Sequence, residues 1–172
     1  IPEGSKTSKG RAIQNLINIP SDDKVMAYIN TKDLKDEDYI NSNYIVMCTK
    51  NGQVKKTSLE QYSRPRTNGI NAITIKEGDQ LFEAKMTDGE SQIMIAAKSG
   101  KCIRFEESKV RSMGRTASGV RGIKLRDEKD VVIGMICVNN MESSVLVVAE
   151  NGYGKRSSID QYRITNRGGK GV

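Results

Sequence analysis

Three apolar runs recur along the chain, each closed by a glycine-bearing turn. They are Tyr44-Ile45-Val46-Met47-Cys48, Ile93-Met94-Ile95-Ala96-Ala97 and Val145-Leu146-Val147-Val148-Ala149. Each is rich in β-branched residues and too short for a helix, so each predicts a strand. The turns that follow are Lys50-Asn51-Gly52, Lys98-Ser99-Gly100 and Glu150-Asn151-Gly152. A second strand-like run leaves each turn: Gln53-Val54-Lys55-Lys56, Lys101-Cys102-Ile103-Arg104 and Tyr153-Gly154-Lys155-Arg156. Asn-Gly between two such runs predicts a β-hairpin with a type I′ turn, in which both central residues take positive φ.

The turn glycines lie 48 and 52 residues apart. After each hairpin comes a short mixed segment, at 58–62, 106–110 and 158–162, that suits a single helical turn or a tight loop. A loop glycine follows at Gly69, Gly119 and Gly171, which are 17, 19 and 19 residues beyond the turn glycines. Gly10 is a fourth copy without a preceding hairpin. Another alternating strand is expected after the loop glycine, at 70–75 and 120–125, with 11–17 matching. A polar turn then leads to a fourth strand, at 80–86 and 131–138. Four short strands in about fifty residues is the content of a propeller blade. The expected fold is all-β and propeller-like: one domain over 1–172, with approximate repeats at 10–68, 69–118 and 119–170 and a last repeat only begun.

Composition fits a folded chain: 172 residues, 36% hydrophobic, 28% charged. The three cysteines, Cys48, Cys102 and Cys137, have no C-x-x-C spacing and sit in or beside apolar runs. They read as reduced, buried small hydrophobes of a cytoplasmic protein. The absence of histidine removes the commonest general base, the Ser-His-Asp arrangement and most zinc sites. Gly114 and Gly119 have P-loop spacing but lead into Val120-Arg121 rather than Lys-Ser. Gly152-Tyr153-Gly154 is a hairpin rather than a dinucleotide fingerprint. Asp22 and Asp23 form a turn. Asp33, Asp36, Glu37 and Asp38 lack calcium-loop spacing and read as a solvated loop. The six tyrosines are scattered, and most sit in strand or hairpin contexts rather than beside the charged support a transesterification tyrosine needs. No catalytic residue, metal or cofactor is expected. No run reaches the ~20 apolar residues of a membrane span, and no signal peptide is visible. Ile1 in place of an initiator methionine is expected of a piece of a longer protein.

Charge adds the functional signal. The chain carries 28 Lys and Arg against 21 Asp and Glu, a net +7. Thirteen of the basic residues fall in four segments that contain no acid: Lys6, Lys9 and Arg11; Arg64 and Arg66; Lys109, Arg111, Arg115, Arg121 and Lys124; Arg163, Arg167 and Lys170. The rest of the chain is therefore net −6. These segments surround the loop glycines at the same phase of each repeat. In a radial array, equal phase means equal position on the rim, so a positive belt is expected. Such a belt suits a polyanion, since Lys and Arg neutralise phosphates and release counterions. Loop glycines would let backbone N–H groups approach phosphate oxygens. With two Phe and no Trp, stacking platforms for single strands are poor. Duplex DNA gripped by its backbone and bent fits better.

At Asn166-Arg167-Gly168-Gly169-Lys170-Gly171 the sequence resembles a known family, the C-terminal domain of bacterial gyrase A, a part of a type II DNA topoisomerase. That family carries a box, Q-R-R-G-G-K-G; Arg167 to Gly171 match its last five positions, and Thr165 and Asn166 replace its first two. Lys9-Gly10-Arg11, Asn51-Gly52-Gln53-Val54-Lys55-Lys56-Thr57, Arg104-Phe105, Gly119-Val120-Arg121-Gly122-Ile123 and Asn151-Gly152-Tyr153-Gly154-Lys155-Arg156 are similar to it as well.

The resemblance implies a β-pinwheel in which neighbouring blades exchange strands and duplex DNA wraps the basic rim without sequence readout. It implies partners in the rest of gyrase A and, through it, gyrase B. The location would be the bacterial cytoplasm, at the nucleoid. Catalytic tyrosine and ATPase would lie elsewhere in an assembly that supercoils DNA negatively. The expected DNA-binding residues are Lys6, Lys9, Arg11, Arg64, Arg66, Arg111, Arg115, Arg121, Arg163, Arg167, Gly168, Gly169, Lys170 and Gly171. In the family the box lies in the first blade, whereas this near-match lies three repeats beyond Gly10, so it is either the box or a later echo of it. A disc of about six blades would be only partly filled by three repeats, leaving an open arc with exposed strand edges. Alternatives are the related C-terminal domain of topoisomerase IV and a propeller-like protein-interaction scaffold.

Overall fold

The structure is a computed structural model and describes residues 3–17, 19, 20 and 22–172. The three predicted hairpins form where the apolar runs place them. Strands β1 (Tyr44–Thr49) and β2 (Gln53–Ser58) pair antiparallel, with Val46 opposite Lys56 and Cys48 opposite Val54. Strand β3 (Leu81–Thr87) adds to the free edge of β1. Strands β4 (Gln92–Ala97) and β5 (Cys102–Glu106) make the second hairpin. The two-residue β6 (Val120–Arg121) pairs with β2, and β7 (Val132–Val138) covers the other edge of β4. The third hairpin, β8 (Ser144–Val148) with β9 (Gly154–Ser158), stands as a two-stranded sheet. The fold is thus mostly β, in several antiparallel sheets that do not close on one another.

The hairpin turns are not type I′. Gly52, Gly100 and Gly152 have φ of 80°, 81° and 82°, while no non-glycine residue described has positive φ. Each turn closes at its glycine: Gly52 N–H donates to Thr49 O (3.0 Å), Gly100 to Ala97 O (2.9 Å) and Gly152 to Ala149 O (2.9 Å). Ala97 N–H donates to Lys101 O and Ala149 N–H to Tyr153 O, both at 2.8 Å. These are three-residue loops whose last residue alone is left-handed, the bulge-type alternative to I′. That geometry accepts Ser99 where the second turn has no Asn. The downstream polar turn holds the first two hairpin turns in place: the Asp79 carboxylate accepts from Asn51 N–H (2.9 Å), and the Asp130 carboxylate from Ser99 N–H (2.8 Å).

Further expectations are corrected. The 70–75 segment belongs to no strand, and 11–17 contains a short 3-10 turn at Ile13–Asn15. Of 120–125, only Val120 and Arg121 join a sheet. The acidic stretch contains a helix, α1 (Glu37–Ser42), and is not simply a solvated loop. Asp36 caps it by accepting from Tyr39 N–H, Glu37 and Asp38 complement the positive end of its dipole, and Ile40 is buried beneath it. The segments at 58–62, 106–110 and 158–162 each contain the expected short helical turn.

A sheet is not built from one stretch of sequence. The four-stranded sheet has the order β3-β1-β2-β6, and β6 arrives from beyond the second hairpin. Beside it, Gly119 lies so close to Val54 that a Cβ would sit 2.6 Å from the Val54 carbonyl oxygen. The second hairpin repeats the arrangement: Cys102 and Val172 exchange backbone hydrogen bonds of 2.9 and 2.8 Å, and a Cβ on Gly171 would sit 2.5 Å from Cys102 O. Just upstream, Met113 N–H donates to Lys56 O and Thr165 N–H to Arg104 O, both at 2.8 Å. The main core lies between the first two hairpins, formed by Val46, Val54, Ile93, Ile95, Ile103, Phe105, Ile123 and their neighbours. A second cluster packs Ile45, Met47, Leu59 and Ala84 with Ile40. The third hairpin is less covered, with Leu146 65% and Val148 61% exposed.

Two buried cations tie successive hairpins together. Lys56 Nζ lies 3.5 Å from Glu107 Oε1 and 4.9 Å from the Tyr44 ring centroid. Glu107, fully buried, also accepts from Thr87 Oγ1 (2.7 Å) and Ser91 N–H (3.2 Å). Arg104 takes the equivalent place one hairpin on, but donates to backbone carbonyls, Ile159 O at 2.6 Å and Tyr162 O at 2.9 Å. The cysteines are free, with Cys48 buried and Cys102 and Cys137 half-buried. Burial pushes their thiols up, to about 12, 11 and 12 respectively.

Three outcomes are expected. Gly119→Ala destabilises by about 3 kcal/mol or more, since it adds a clash to the left-handed strain, whereas Gly69→Ala, with open space around it, costs about 1–2 kcal/mol. Equal shifts of the urea midpoint at both sites would contradict the docking account. Glu107→Leu, which leaves Lys56 buried without a counter-charge, costs about 3–5 kcal/mol, and adding Lys56→Met restores most of it; thermal melts of the single and double variants measure this. At pH 8 iodoacetamide modifies the folded cysteines far more slowly than the urea-unfolded ones, as counted by mass spectrometry.

Candidate nucleic-acid interface

In segments 109–124 and 163–172 the backbone docks inward on the hairpin before, whereas Gly10 and Gly69 of the two earlier basic segments stand in open space. A loop that spends its N–H and C=O groups on the preceding hairpin presents its alternate side chains outward. Lys6, Lys9, Arg11, Arg64, Arg66, Arg111, Arg121, Arg163 and Lys170 are exposed, while Arg115 and Arg167 are half-buried. The structure gathers these basic loop residues into distinct groups.

The first group lies beyond the 3-10 turn Leu59–Tyr62. Arg64 and Arg66 line an open cleft of about 460 Å³ together with Arg115, Gln61 and Glu60. Arg115 comes from the loop after the second hairpin. Its N–H donates to Gln61 Oε1 and its Nη1 to Asn71 O, both at 3.1 Å. Thr74 reinforces the seam, its hydroxyl donating to Thr116 O at 2.6 Å and its N–H to Ala117 O at 3.3 Å. Lys55 Nζ reaches the same seam from β2, donating to Ala72 O (2.5 Å) and to Arg115 O.

The second group surrounds the box-like loop. Arg167 holds the loop down rather than pointing freely outward: its Nε donates to Lys109 O (2.8 Å) and its Nη1 to Arg121 O (3.1 Å). Gly168 N–H donates to Gly122 O at 2.6 Å, and Gly169 O accepts from Lys124 N–H at 2.8 Å. Gly171 sits on Cys102. The left-handed φ of Gly168 (80°) and Gly171 (70°) therefore serves the chain's own packing, and the Gly168 N–H is already committed. Lys170 remains exposed and lines a cleft of about 310 Å³ with Lys101, Lys124, Arg126 and Ser99. Arg126 also pairs with Asp127 at 3.0 Å. Lys101 and Arg126 are not expected from sequence. Lys101 directly follows a turn glycine, where it reads as strand, and Arg126 heads an acidic turn.

Lys9 and Arg11 line a separate groove with Glu3, and Lys6 stands exposed on the turn before them. Arg111, Arg121 and Arg163 are exposed at or near the docked loops. Among the described residues no group of histidine, cysteine or carboxylate side chains could hold a metal ion. Among the same residues no helix is long and apolar enough to cross a membrane.

Comparison with known proteins agrees with this geometry. The family model described as "DNA gyrase C-terminal domain, beta-propeller" matches residues 43–88, 91–139 and 143–172, one match for each hairpin. The DNA gyrase A protein of Staphylococcus epidermidis is 45% identical over the whole chain, and that of Staphylococcus aureus 44%. The chain spans 19% of the length of each of these relatives. Among solved structures, a DNA topoisomerase IV C-terminal domain aligns with a TM-score of 0.85 at 28% identity, over 95% of this chain and 49% of that one. A DNA gyrase A C-terminal domain aligns with a TM-score of 0.81 at 25% identity, over 96% and 53%. With one family match on every hairpin, and the docked loops that link them, this chain belongs to the DNA gyrase C-terminal domain family.

Proposed function

We propose that this chain is the DNA-wrapping module of a gyrase A protein, non-catalytic in itself, which binds duplex DNA of any sequence through its basic loops. The observation that carries this reading is the division of labour in those loops. The loops after the second and third hairpins dock their backbones on the hairpin before, leaving Arg111, Arg121, Arg163 and Lys170 exposed, and Arg64 and Arg66 stand exposed on the undocked loop after the first, all in segments free of acids. A surface of this kind meets phosphates wherever a duplex follows the loops. Backbone contact positions a duplex without reading bases, and a duplex that follows several separate basic groups would have to bend.

In the whole protein, the wrap would present a DNA segment to the catalytic parts of gyrase A and gyrase B for ATP-driven negative supercoiling, in the bacterial cytoplasm at the nucleoid. Lys101, Lys124 and Arg126 join Lys170 as further phosphate contacts in this reading. Gly168, Gly169 and Gly171 contribute by shaping the loop, since their backbone groups or close contacts are taken up inside the chain. Arg167 contributes through the loop it holds. The topoisomerase IV reading draws on the 0.85 TM-score; the 45% identity to gyrase A sequences over the full chain favours gyrase.

Binding of short duplexes should weaken linearly in log affinity against log salt, with a slope of about −0.9 per phosphate neutralised. Replacing Arg111, Arg115 and Arg121 together with alanine should weaken binding equally for all sequences and flatten that slope by up to about 2.7. Titrations by fluorescence anisotropy measure both. Affinity that does not change with salt would sink the reading. Religation of relaxed circles in the presence of the protein should trap positive writhe; circles of unchanged linking number with both this chain and a full-length domain, despite binding, would favour the weakly wrapping topoisomerase IV type.

A further inference from the structure

Lys55 turns its charge inward beneath the first basic cleft. Its side chain is fully buried, yet its partners are not carboxylates. Its Nζ donates to Ala72 O at 2.5 Å and to Arg115 O, one carbonyl from each of two loops 43 residues apart in sequence. The first loop carries Arg64 and Arg66, the second Arg115, and the three line one cleft. Three guanidinium groups drawn into one cleft repel one another. Beside the Thr74 bonds to Thr116 O and Ala117 O, the ammonium adds bonds to two carbonyls, and charge-assisted bonds are stronger than neutral ones.

We propose that Lys55 is a positioning residue: it clasps the two loops from below and keeps Arg64, Arg66 and Arg115 as one preformed phosphate-binding cleft. The proposal rests on the duplex-binding reading above. Arg115 is the residue most directly governed, because its own carbonyl is a clasp point while its guanidinium spends only Nη1 on Asn71 O. A guanidinium has five N–H donors, so the remainder are left for the cleft. Ala72 O keeps a second donor, the Tyr62 hydroxyl at 3.1 Å. Loss of the ammonium therefore loosens the Arg115 carbonyl first, while Thr74 still holds Thr116 O and Ala117 O.

The clasp also carries a pH signature. Burial, followed by the neighbouring Arg115 charge, lowers the Lys55 ammonium to about 8. The groups facing it are the Arg115 guanidinium and the Tyr62 phenol, which burial raises above its usual value. Glu60, Arg64 and Arg66 stand at the cleft above. Protonated below about pH 8, Lys55 gives charged donors; above it, the neutral amine gives weaker ones and the cleft loses a positive charge. Duplex affinity should therefore fall as pH rises from about 7 to about 9.

The test is a double-variant cycle read by duplex affinity in the 172-residue chain, with Lys55→Met and Arg115→Ala separately and together, at about pH 7 and about pH 9. Lys55→Met is expected to weaken binding about tenfold at the lower pH, the loss of roughly one charged hydrogen bond's effect. Arg115→Ala should cost several-fold in the wild type and little in the Lys55→Met background. The wild type should lose affinity between the two pH values, and Lys55→Met should not. Additive losses, or the same pH dependence in both proteins, would overturn the clasp. Should Lys55→Met fail to fold, Lys55→Gln, which keeps a neutral donor, carries the same comparison. A wild type that binds no duplex at low salt would remove the duplex-binding reading and the clasp with it. A wild type that binds while the cycle is additive removes the clasp alone.

Discussion

A loop backbone laid against the outer strand of the preceding hairpin is the contact on which the rest of this structure depends. Gly119 meets the carbonyl of Val54 and Gly171 that of Cys102, at distances no side chain would allow. The flanking bonds, Met113 to Lys56 and Thr165 to Arg104, repeat with the same spacing. Because these bonds join backbone to backbone, they place little demand on the neighbouring side chains. The exposed positions of the loop are then free to be basic without loss of docking. The positive surface is in this sense a consequence of how the hairpins are joined.

That arrangement creates an electrostatic problem that the interior answers. Lys55, Lys56 and Arg104 are all buried on the second strand of a hairpin, under a surface that is already positive. Buried cations need partners, since desolvation of an unpaired charge is costly. Lys56 finds the Glu107 carboxylate, while Arg104 and Lys55 find carbonyls. The choice follows local sequence: where the second hairpin is followed by Glu107, the third is followed by Ile159, and the cation there turns to the backbone instead. Each of these contacts crosses from one hairpin to a segment that follows it. The same residues that answer the charge problem therefore also join the units.

Much of this is legible in the sequence because it is local. Alternating apolar runs and turn glycines mark all three hairpins, and the short helical turns after them fall where the mixed segments lie. Helix α1 is hidden because its acidic residues resemble a solvated loop; the cap at Asp36 and the buried Ile40 are the available signals. The turn type differs from expectation because Asn-Gly favours I′ in isolation, whereas the glycine alone carries the left-handed geometry here. Of the strands expected after the loop glycines, only Val120 and Arg121 join a sheet, where the loop around Gly119 docks on β2, while 11–17 contains a short 3-10 turn and 70–75 joins no sheet.

By itself the sequence determined the hairpins, their repeat and the phase of the basic loops, because each depends on residues close together in the chain. Only the tertiary structure decided which strand completes which sheet and which charges are free. It committed Arg167 and Lys55 to carbonyls, left Arg64 and Lys170 open, and brought Lys101 and Arg126 beside Lys170. The physical reason is separation. Val54 and Gly119 meet across 65 residues, and Cys102 and Gly171 across 69. A glycine placed for such a contact looks, in sequence, the same as one placed for a turn or for a phosphate.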